Sequence, residues 1–307
     1  MMMNEASKKQ ATDLKPGTQI TGKWHGKRYL IKKKLGAGAI GAVYLSEAGG
    51  QPAALKISEK GTSMTVEVNV LKSLGKVQGN RLGPYLLDVD DWVSPSGEAY
   101  SFYVMEYLQG KSLASFLQSR GSEWTGVFML QLLEDLEKLH QSGWVFGDLK
   151  TDNLLVVDAP PRLRWVDVGG TTKIGRAIKE YTEFYDRGYW GMGSRKAEPS
   201  YDLFAFVMVF LHVSHGKRFE KGVNPERTLF KKLDEAKTLV PYREPLKKAL
   251  QGRYHSSLIM KQEIAAAINH TRSRRTARQN KHKSPVLLEM GGISALGAVY
   301  YLISLLF

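Results

Sequence analysis

The chain has 307 residues, 43% of them hydrophobic, and a formal net charge of +14. That is enough apolar material for a sizeable core, which excludes global disorder, and a chain without cysteine has no disulfide, thiolate metal site or cysteine nucleophile, as fits a reducing compartment. The basic balance favours anionic partners such as nucleic acid, lipid headgroups or acidic protein. Met1 to Lys15 is too polar to read as a signal peptide.

Residues 1–28 read as an N-terminal extension in which Thr18 to Trp24 adds an edge strand. A strand at Arg28–Ile31 then leads into Leu35-Gly36-Ala37-Gly38-Ala39-Ile40-Gly41-Ala42-Val43-Tyr44-Leu45. Gly36, Gly38 and Gly41 let a backbone approach phosphate oxygens. A dinucleotide-binding turn would open a helix directly after the glycines. Ala42 to Ser46 reads instead as a strand, and Gly49-Gly50-Gln51-Pro52 turns into another, Ala53 to Ile57. The pattern is a strand-loop-strand phosphate cover. Lys56 is a cation inside an apolar strand, either a snorkelling edge lysine or a phosphate ligand. Thr62-Ser63 caps a helix through Leu71 that carries Glu67, either a solvated helix glutamate or the partner of Lys56.

Tyr85–Val93 and Ala99–Leu108 alternate as two strands around the turn Ser94-Pro95-Ser96-Gly97. Met105 to Gly110 leaves the sheet towards a short helix, Ser112–Gln118. Trp124–His140 carries a broad apolar helical face. A strand-rich first third thus precedes a helix-rich remainder, with a cleft expected between them.

The densest chemistry lies at Phe146-Gly147-Asp148-Leu149-Lys150-Thr151-Asp152-Asn153, a polar loop between a helix and the buried strand Leu154–Val157. Asp148 is placed to take a hydroxyl proton, Lys150 to neutralise a transferring phosphoryl group and Asn153 to hold Mg²⁺. Asp167 follows an apolar strand and precedes Gly169-Gly170, presenting a second metal ligand at a turn. Each of these motifs alone is common by chance.

Taken in order, the glycine loop, Ala-Leu-Lys strand, helix glutamate, Met-Glu-Tyr segment, Asp-x-Lys loop and Asp-x-Gly turn resemble the eukaryotic-like (Hanks-type) protein kinase family. Within it the motifs resemble the membrane-attached serine/threonine kinases of Gram-positive spore-formers. The resemblance spans Tyr29 to Gly216. It implies an α+β, two-lobed fold, with ATP and Mg²⁺ as cofactors and protein substrates as partners. It further implies that Gly36, Gly38 and Gly41 cover the phosphates and that Val43 packs on adenine. Lys56 would bind the α/β-phosphates and pair with Glu67. Met105 would be the gatekeeper, and Glu106 and Leu108 would offer backbone groups to adenine. Asp148 would be the catalytic base, Lys150 the charge stabiliser, and Asn153 and Asp167 the metal ligands. Asp202 matches the acid that opens the large buried helix.

The chain departs from the family where His-Arg-Asp becomes Phe146-Gly147-Asp148, where Val168 replaces the Phe of Asp-Phe-Gly, and where Ala-Pro-Glu is missing. Control through an arginine on a loop phosphate is therefore not expected. Thr171, Thr172 and Thr182 are candidates for self-phosphorylation. Two rival readings stay open: a binding scaffold that keeps the fold without catalysis, and a small-molecule kinase of the aminoglycoside or choline type.

The lobes are expected over residues 29–108, N-lobe and hinge, and 109–269, C-lobe. Residues 270–285 form a basic linker with six Lys/Arg and no acid from His270 to Lys283. Arg272, Arg274, Arg275, Arg278, Lys281 and Lys283 read as a positive-inside signal, an anionic-lipid contact or a DNA contact. Met290 to Phe307 is uncharged for eighteen residues, roughly 27 Å as a helix, and residues 286–307 read either as a transmembrane tail anchor or as a last buried helix. The expectation is a single-pass cell-membrane protein with its kinase domain in the cytoplasm and a homodimer as a further partner state.

Overall fold

The computed structural model describes residues 13–38, 41–59, 61–75, 83–157, 160–271 and 273. The six basic-run residues and the apolar segment 286–307 lie outside them. No helix among the described residues is long and apolar enough to cross a membrane.

The first lobe is a six-stranded antiparallel sheet. Its strands are β1 (Gln19–Thr21), β2 (Arg28–Gly38), β3 (Gly41–Ala48), β4 (Gln51–Ser58), β5 (Leu86–Val93) and β6 (Ala99–Glu106), ordered β1-β2-β3-β4-β6-β5. In β4 every residue from Ala53 to Ser58 is buried, as expected for a central strand covered on both faces. The period of two sorts them. Leu55 and Ile57 join Phe102 and Val104 in one core behind the sheet. Ala54 faces the other way with Tyr103 and Met105, into the core shared with the second lobe. Lys56 lies on that same face, and β4–β6 register sets it opposite Tyr103 while β3–β4 register sets it opposite Val43.

One helix, α1 (Gly61–Leu74), covers this face. Val68, Leu71 and Leu74 turn inward at helical spacing. The strand ends at Glu106, two residues before the expected Leu108, and the Glu106 N–H makes a last cross-strand bond to the Tyr85 carbonyl at 2.8 Å.

The second lobe is helical. Ser112 caps α2 (Leu113–Arg120) by accepting from the Ser115 N–H. Along α3 (Trp124–Gln141) Phe128, Leu132, Leu136 and Leu139 are fully buried, one apolar stripe four or so residues apart. In α4 (Pro199–His215) every residue from Ser200 to Leu211 is buried. A helix without a polar face has to run through the middle of a lobe, and α4 does so. Pro199 starts it, and Gly216, with φ of 70°, ends it. α5 (Pro225–Glu235), α6 (Arg243–Leu250) and a helix over residues 257–271 complete the lobe. Short strands β7 (Lys111–Ser112), β9 (Leu154–Val157) and β10 (Arg162–Trp165) form a small sheet, and β8 (Trp144–Val145) pairs with β11 (Thr172–Lys173).

Candidate active site

Lys56 is 5% exposed and Glu67 1%. A buried lysine is tolerated only when paired, and here the pairing is complete. Its Nζ donates to Glu67 Oε1 at 2.8 Å and lies 2.8 Å from Oε2 in the same ion pair. Tyr103, beside Lys56 across the sheet, donates its hydroxyl to Glu67 Oε2 at 2.8 Å. The same Nζ lies 3.7 Å from Asp167 Oδ1, so one ammonium joins the sheet, α1 and the loop after β10.

The three glycines differ. Gly36 and Gly38 sit on exposed backbone with nothing near the space a side chain would take, whereas a Cβ on Gly41 would run into the Ile57 carbonyl of β4. Gly41 is required by packing within the sheet, and the other two leave the cover open on its exposed side. Val43 is half-buried across from Lys56, and Met105 is buried in the shared core. Glu106 and Leu108 follow on the connection between lobes, each half-buried.

The polar loop is pinned from below. Asp202, fully buried in the first turn of α4, accepts from the Phe146 N–H at 2.7 Å and the Gly147 N–H at 3.0 Å. His140 Nε2 bonds the same carboxylate at 2.8 Å. Phe146 packs edge-on against Trp165, with ring centroids 4.9 Å apart. Gly147 has φ of 80°, and a Cβ there would collide with the Gly170 carbonyl. A Cβ on Gly170 would come within 2.7 Å of Asp148 Cβ. These glycines bring the loop of Asp148 and the turn after Asp167 into backbone contact. The fold therefore has no room for an arginine side chain at position 147 in this conformation.

Asp148 and Lys150 form a short ion pair, and both touch Thr182: its hydroxyl donates to Asp148 Oδ1 at 3.0 Å and accepts from Lys150 Nζ at 3.3 Å. Asn153 is buried, and its amide nitrogen donates to the Asp148 carbonyl at 2.9 Å. That leaves the amide oxygen as the atom offered to a cation. The Val166 N–H donates to the Asn153 carbonyl, and Leu154 pairs with Trp165, so Asn153 and Asp167 flank the same end of the β9–β10 ladder. Asp167 is about half-exposed and accepts from the Gly169 N–H at 2.9 Å.

An amide oxygen and a carboxylate suit Mg²⁺, which is usually held by one or two protein groups together with substrate phosphates. Among the described residues no cluster of three or more His, Cys, Asp or Glu could form an all-protein metal cage. The donor set thus fits a metal brought in with a nucleotide.

Several residues in this region carried no functional signal in the sequence. Glu180 is one: burial pushes its carboxyl up, Glu67 pushes it further, Lys56 opposes, and Asp167 and Asp148 add to the rise. A carboxylate of the segment after β11 therefore feels the charges of Glu67, Lys56, Asp167 and Asp148. The threonines expected as modification sites are all engaged or enclosed. Thr171 is buried, Thr172 donates to the Gly170 carbonyl, and Thr182 is bound to Asp148. Tyr185 links Thr151 at 2.9 Å to His212 Nδ1 at 2.6 Å, tying the loop to α4. Burial and then the Arg218 charge hold His212 below its ordinary pKa. Where Ala-Pro-Glu is missing, Arg187 binds Glu198 at 2.6 Å and the Ser200 hydroxyl at 2.7 Å, and Asp186 binds Arg195 and the Tyr201 hydroxyl.

The sequence profile of the protein kinase domain matches residues 29–287. The chain is 51% identical over 267 residues to "Serine/threonine-protein kinase YabT" of Bacillus subtilis (strain 168), covering 87% of this chain and 79% of that protein. It is 31% identical over 162 residues to "Serine/threonine-protein kinase ppk25" of Schizosaccharomyces pombe, covering 50% of this chain and 36% of that protein. The chain belongs to the protein kinase family, enzymes that use ATP and Mg²⁺.

Proposed function

We propose that the chain is a serine/threonine protein kinase that transfers the γ-phosphoryl group of ATP to a serine or threonine hydroxyl of a protein. The observation that carries this is the Lys56–Glu67 pair at 2.8 Å with Asp167 3.7 Å from the same ammonium. Holding that lysine in place is what a phosphate-binding cation requires.

In this reading Gly36, Gly38 and Gly41 cover the phosphates, Lys56 neutralises the α- and β-phosphates, and Val43 lies against the adenine. Met105 backs the adenine, and Glu106 and Leu108 offer backbone groups to its edge. Asp148 orients the acceptor hydroxyl and takes its proton as the oxygen–phosphorus bond forms. Lys150 balances charge on the moving phosphoryl group. Mg²⁺, held by Asn153 and Asp167, would neutralise the phosphates and the charge developing on the leaving ADP. Placement and charge do most of the work, since the protein forms no covalent intermediate.

The proposal extends to a cell-membrane anchor at residues 286–307 with the kinase domain in the cytoplasm. Arg272, Arg274, Arg275, Arg278, Lys281 and Lys283 would bind anionic lipid or DNA and raise activity when bound. Support comes from the eighteen uncharged residues that follow the basic run. A role in sporulation and a homodimeric state belong to the same proposal.

Purified full chain with Mg²⁺ and labelled ATP tests the activity, with and without DNA and anionic vesicles. Label on serine or threonine supports the central reading. Phosphorylation of a small alcohol but of no protein overturns it. Activity that responds equally to DNA or vesicles after residues 271–283 are deleted overturns the role given to the basic run.

A further inference from the structure

Two arginines, Arg162 and Arg164, share one face of β10 and serve different ends. Arg162 pairs with Asp135 of α3 at 3.0 Å, within the second lobe. Arg164 reaches the other lobe. Its Nη2 donates to Glu106 Oε2 at 2.9 Å and to the Gly83 carbonyl at 3.0 Å. Glu106 Oε2 also accepts from the Tyr85 N–H at 3.3 Å, and the Glu106 N–H returns a bond to the Tyr85 carbonyl at 2.8 Å. One guanidinium from the strand that leads to Asp167 thus grips the residue after Met105, from which the connection between lobes begins.

This is more than an exposed ion pair. The Arg164 side chain is 13% exposed and the Glu106 side chain 27%. Arg164 Nε is buried without a hydrogen-bond partner, a cost the fold carries to keep the guanidinium turned to the hinge. Both bonds leave the one Nη2, whose two hydrogens the planar guanidinium holds in fixed directions; a lysine has the charge but carries it on a freely rotating ammonium.

We propose that Arg164 is a positioning residue for ATP: by bridging Glu106 and Gly83 to β10 it fixes the distance between the backbone groups that meet adenine and the Asn153–Asp167 end that meets the phosphates. The proposal rests on the nucleotide site described above, and Arg164 itself touches no substrate. Without the bridge the lobes sample more relative orientations, and nucleotide binding has to restore one of them. The effect falls on nucleotide affinity, while the chemical step at Asp148 proceeds as before once ATP is bound.

The test uses the full chain, ADP with Mg²⁺ as the binding probe in calorimetry, and casein as acceptor for steady-state kinetics. Arg164→Met is expected to weaken ADP binding and raise the KM for ATP about tenfold, with kcat and the KM for casein within about twofold of the parent. Arg164→Lys should recover about a third or more of the loss. Arg164→Met combined with Glu106→Gln should bind ADP no more weakly than Arg164→Met alone, because both remove one interaction. Parent-like ADP binding in Arg164→Met, a fall in kcat instead of a rise in KM, or additive losses in the double variant would each overturn the proposal. If Arg164→Met does not fold, Glu106→Gln decides: several-fold weaker ADP binding supports the bridge, and unchanged binding overturns it. Calorimetry with ADP needs no phosphoryl transfer, so an inactive protein that binds ADP with the expected Arg164 dependence would count against the proposed activity alone.

Discussion

The Thr182 hydroxyl donates a hydrogen bond to Asp148 Oδ1 at 3.0 Å, across thirty-four positions of sequence. Lys150 Nζ reaches both partners, so the three side chains form a closed triangle in the cleft. Thr182 thereby fixes the orientation of the Asp148 carboxylate. Thr182→Ala is expected to lower kcat about tenfold by releasing the carboxylate, whereas Thr182→Ser keeps the donor and stays near the parent. Steady-state kinetics with casein separates the two; equal losses in both variants would assign the effect to packing of the threonine methyl.

Breaking the Lys56–Glu67 pair leaves a charge in a site that is almost closed to water. Glu67→Ala is expected to cost about 3–5 kcal/mol of stability, the usual range for a buried pair that loses one member. Glu67→Gln keeps the hydrogen-bonding shape towards Lys56 and Tyr103 and should cost less. Denaturant melts give the stability, and nucleotide affinity should fall in both variants.

Asp202 takes three donors, from Phe146, Gly147 and His140. Asp202→Ala strands two backbone N–H groups in the core, at roughly 1–3 kcal/mol each. Both precede Asp148 directly, so activity should fall further than a melting curve alone would suggest. Comparing thermal unfolding with kcat at a temperature where the variant is fully folded separates the two effects.

Asp135 sets a pH dependence. Burial pushes its carboxyl from 3.8 up to about 6, against the opposing charges of Arg162 and Lys138. The folded protein therefore binds this proton more tightly than the unfolded chain. Stability attributable to Asp135 is greatest below about pH 4, declines as the pH rises through about 6, and is level above that. Asp135→Asn should flatten this part of the profile. Denaturant titrations of parent and variant between those two pH values measure the difference in slope; parallel profiles would contradict the assignment.

Much of the cleft was legible because its residues are exceptions to their surroundings. Lys56 stands in the strand Ala53 to Ile57 where every neighbour is apolar, and that misfit marked it. Its alliance with Glu67 followed from the lack of any other acid on the helix between Glu59 and Asp88. The helix α3 announced itself through Phe128, Leu132, Leu136 and Leu139, whose spacing admits one periodicity. Glu180 and Arg164 gave no such signal, and Thr182 drew notice only as a candidate for self-phosphorylation, not as a partner of Asp148. Glu180 and Thr182 lie in an irregular segment without a period, Arg164 takes a partly exposed position of the short strand β10, and partners lie far along the chain: Arg164 meets Glu106 over fifty-eight positions. The N-terminal turn also exceeded its reading as an extension, since the backbone N–H groups of Trp24 and His25 dock on buried Asp90 of β5 at 2.9 and 2.8 Å. A contact that depends on the register of a sheet edge is invisible until the sheet is assembled.

The most direct measurement compares the full chain with Asp148→Asn in Mg²⁺ and γ-labelled ATP, with phosphoamino-acid analysis of a casein acceptor and ADP calorimetry on both proteins. The account predicts phosphoserine or phosphothreonine from the parent, a loss of about 10²–10⁴-fold in Asp148→Asn, and ADP affinity nearly equal in the two. Undiminished labelling by Asp148→Asn, or a folded parent that binds ADP yet labels no protein, would contradict it.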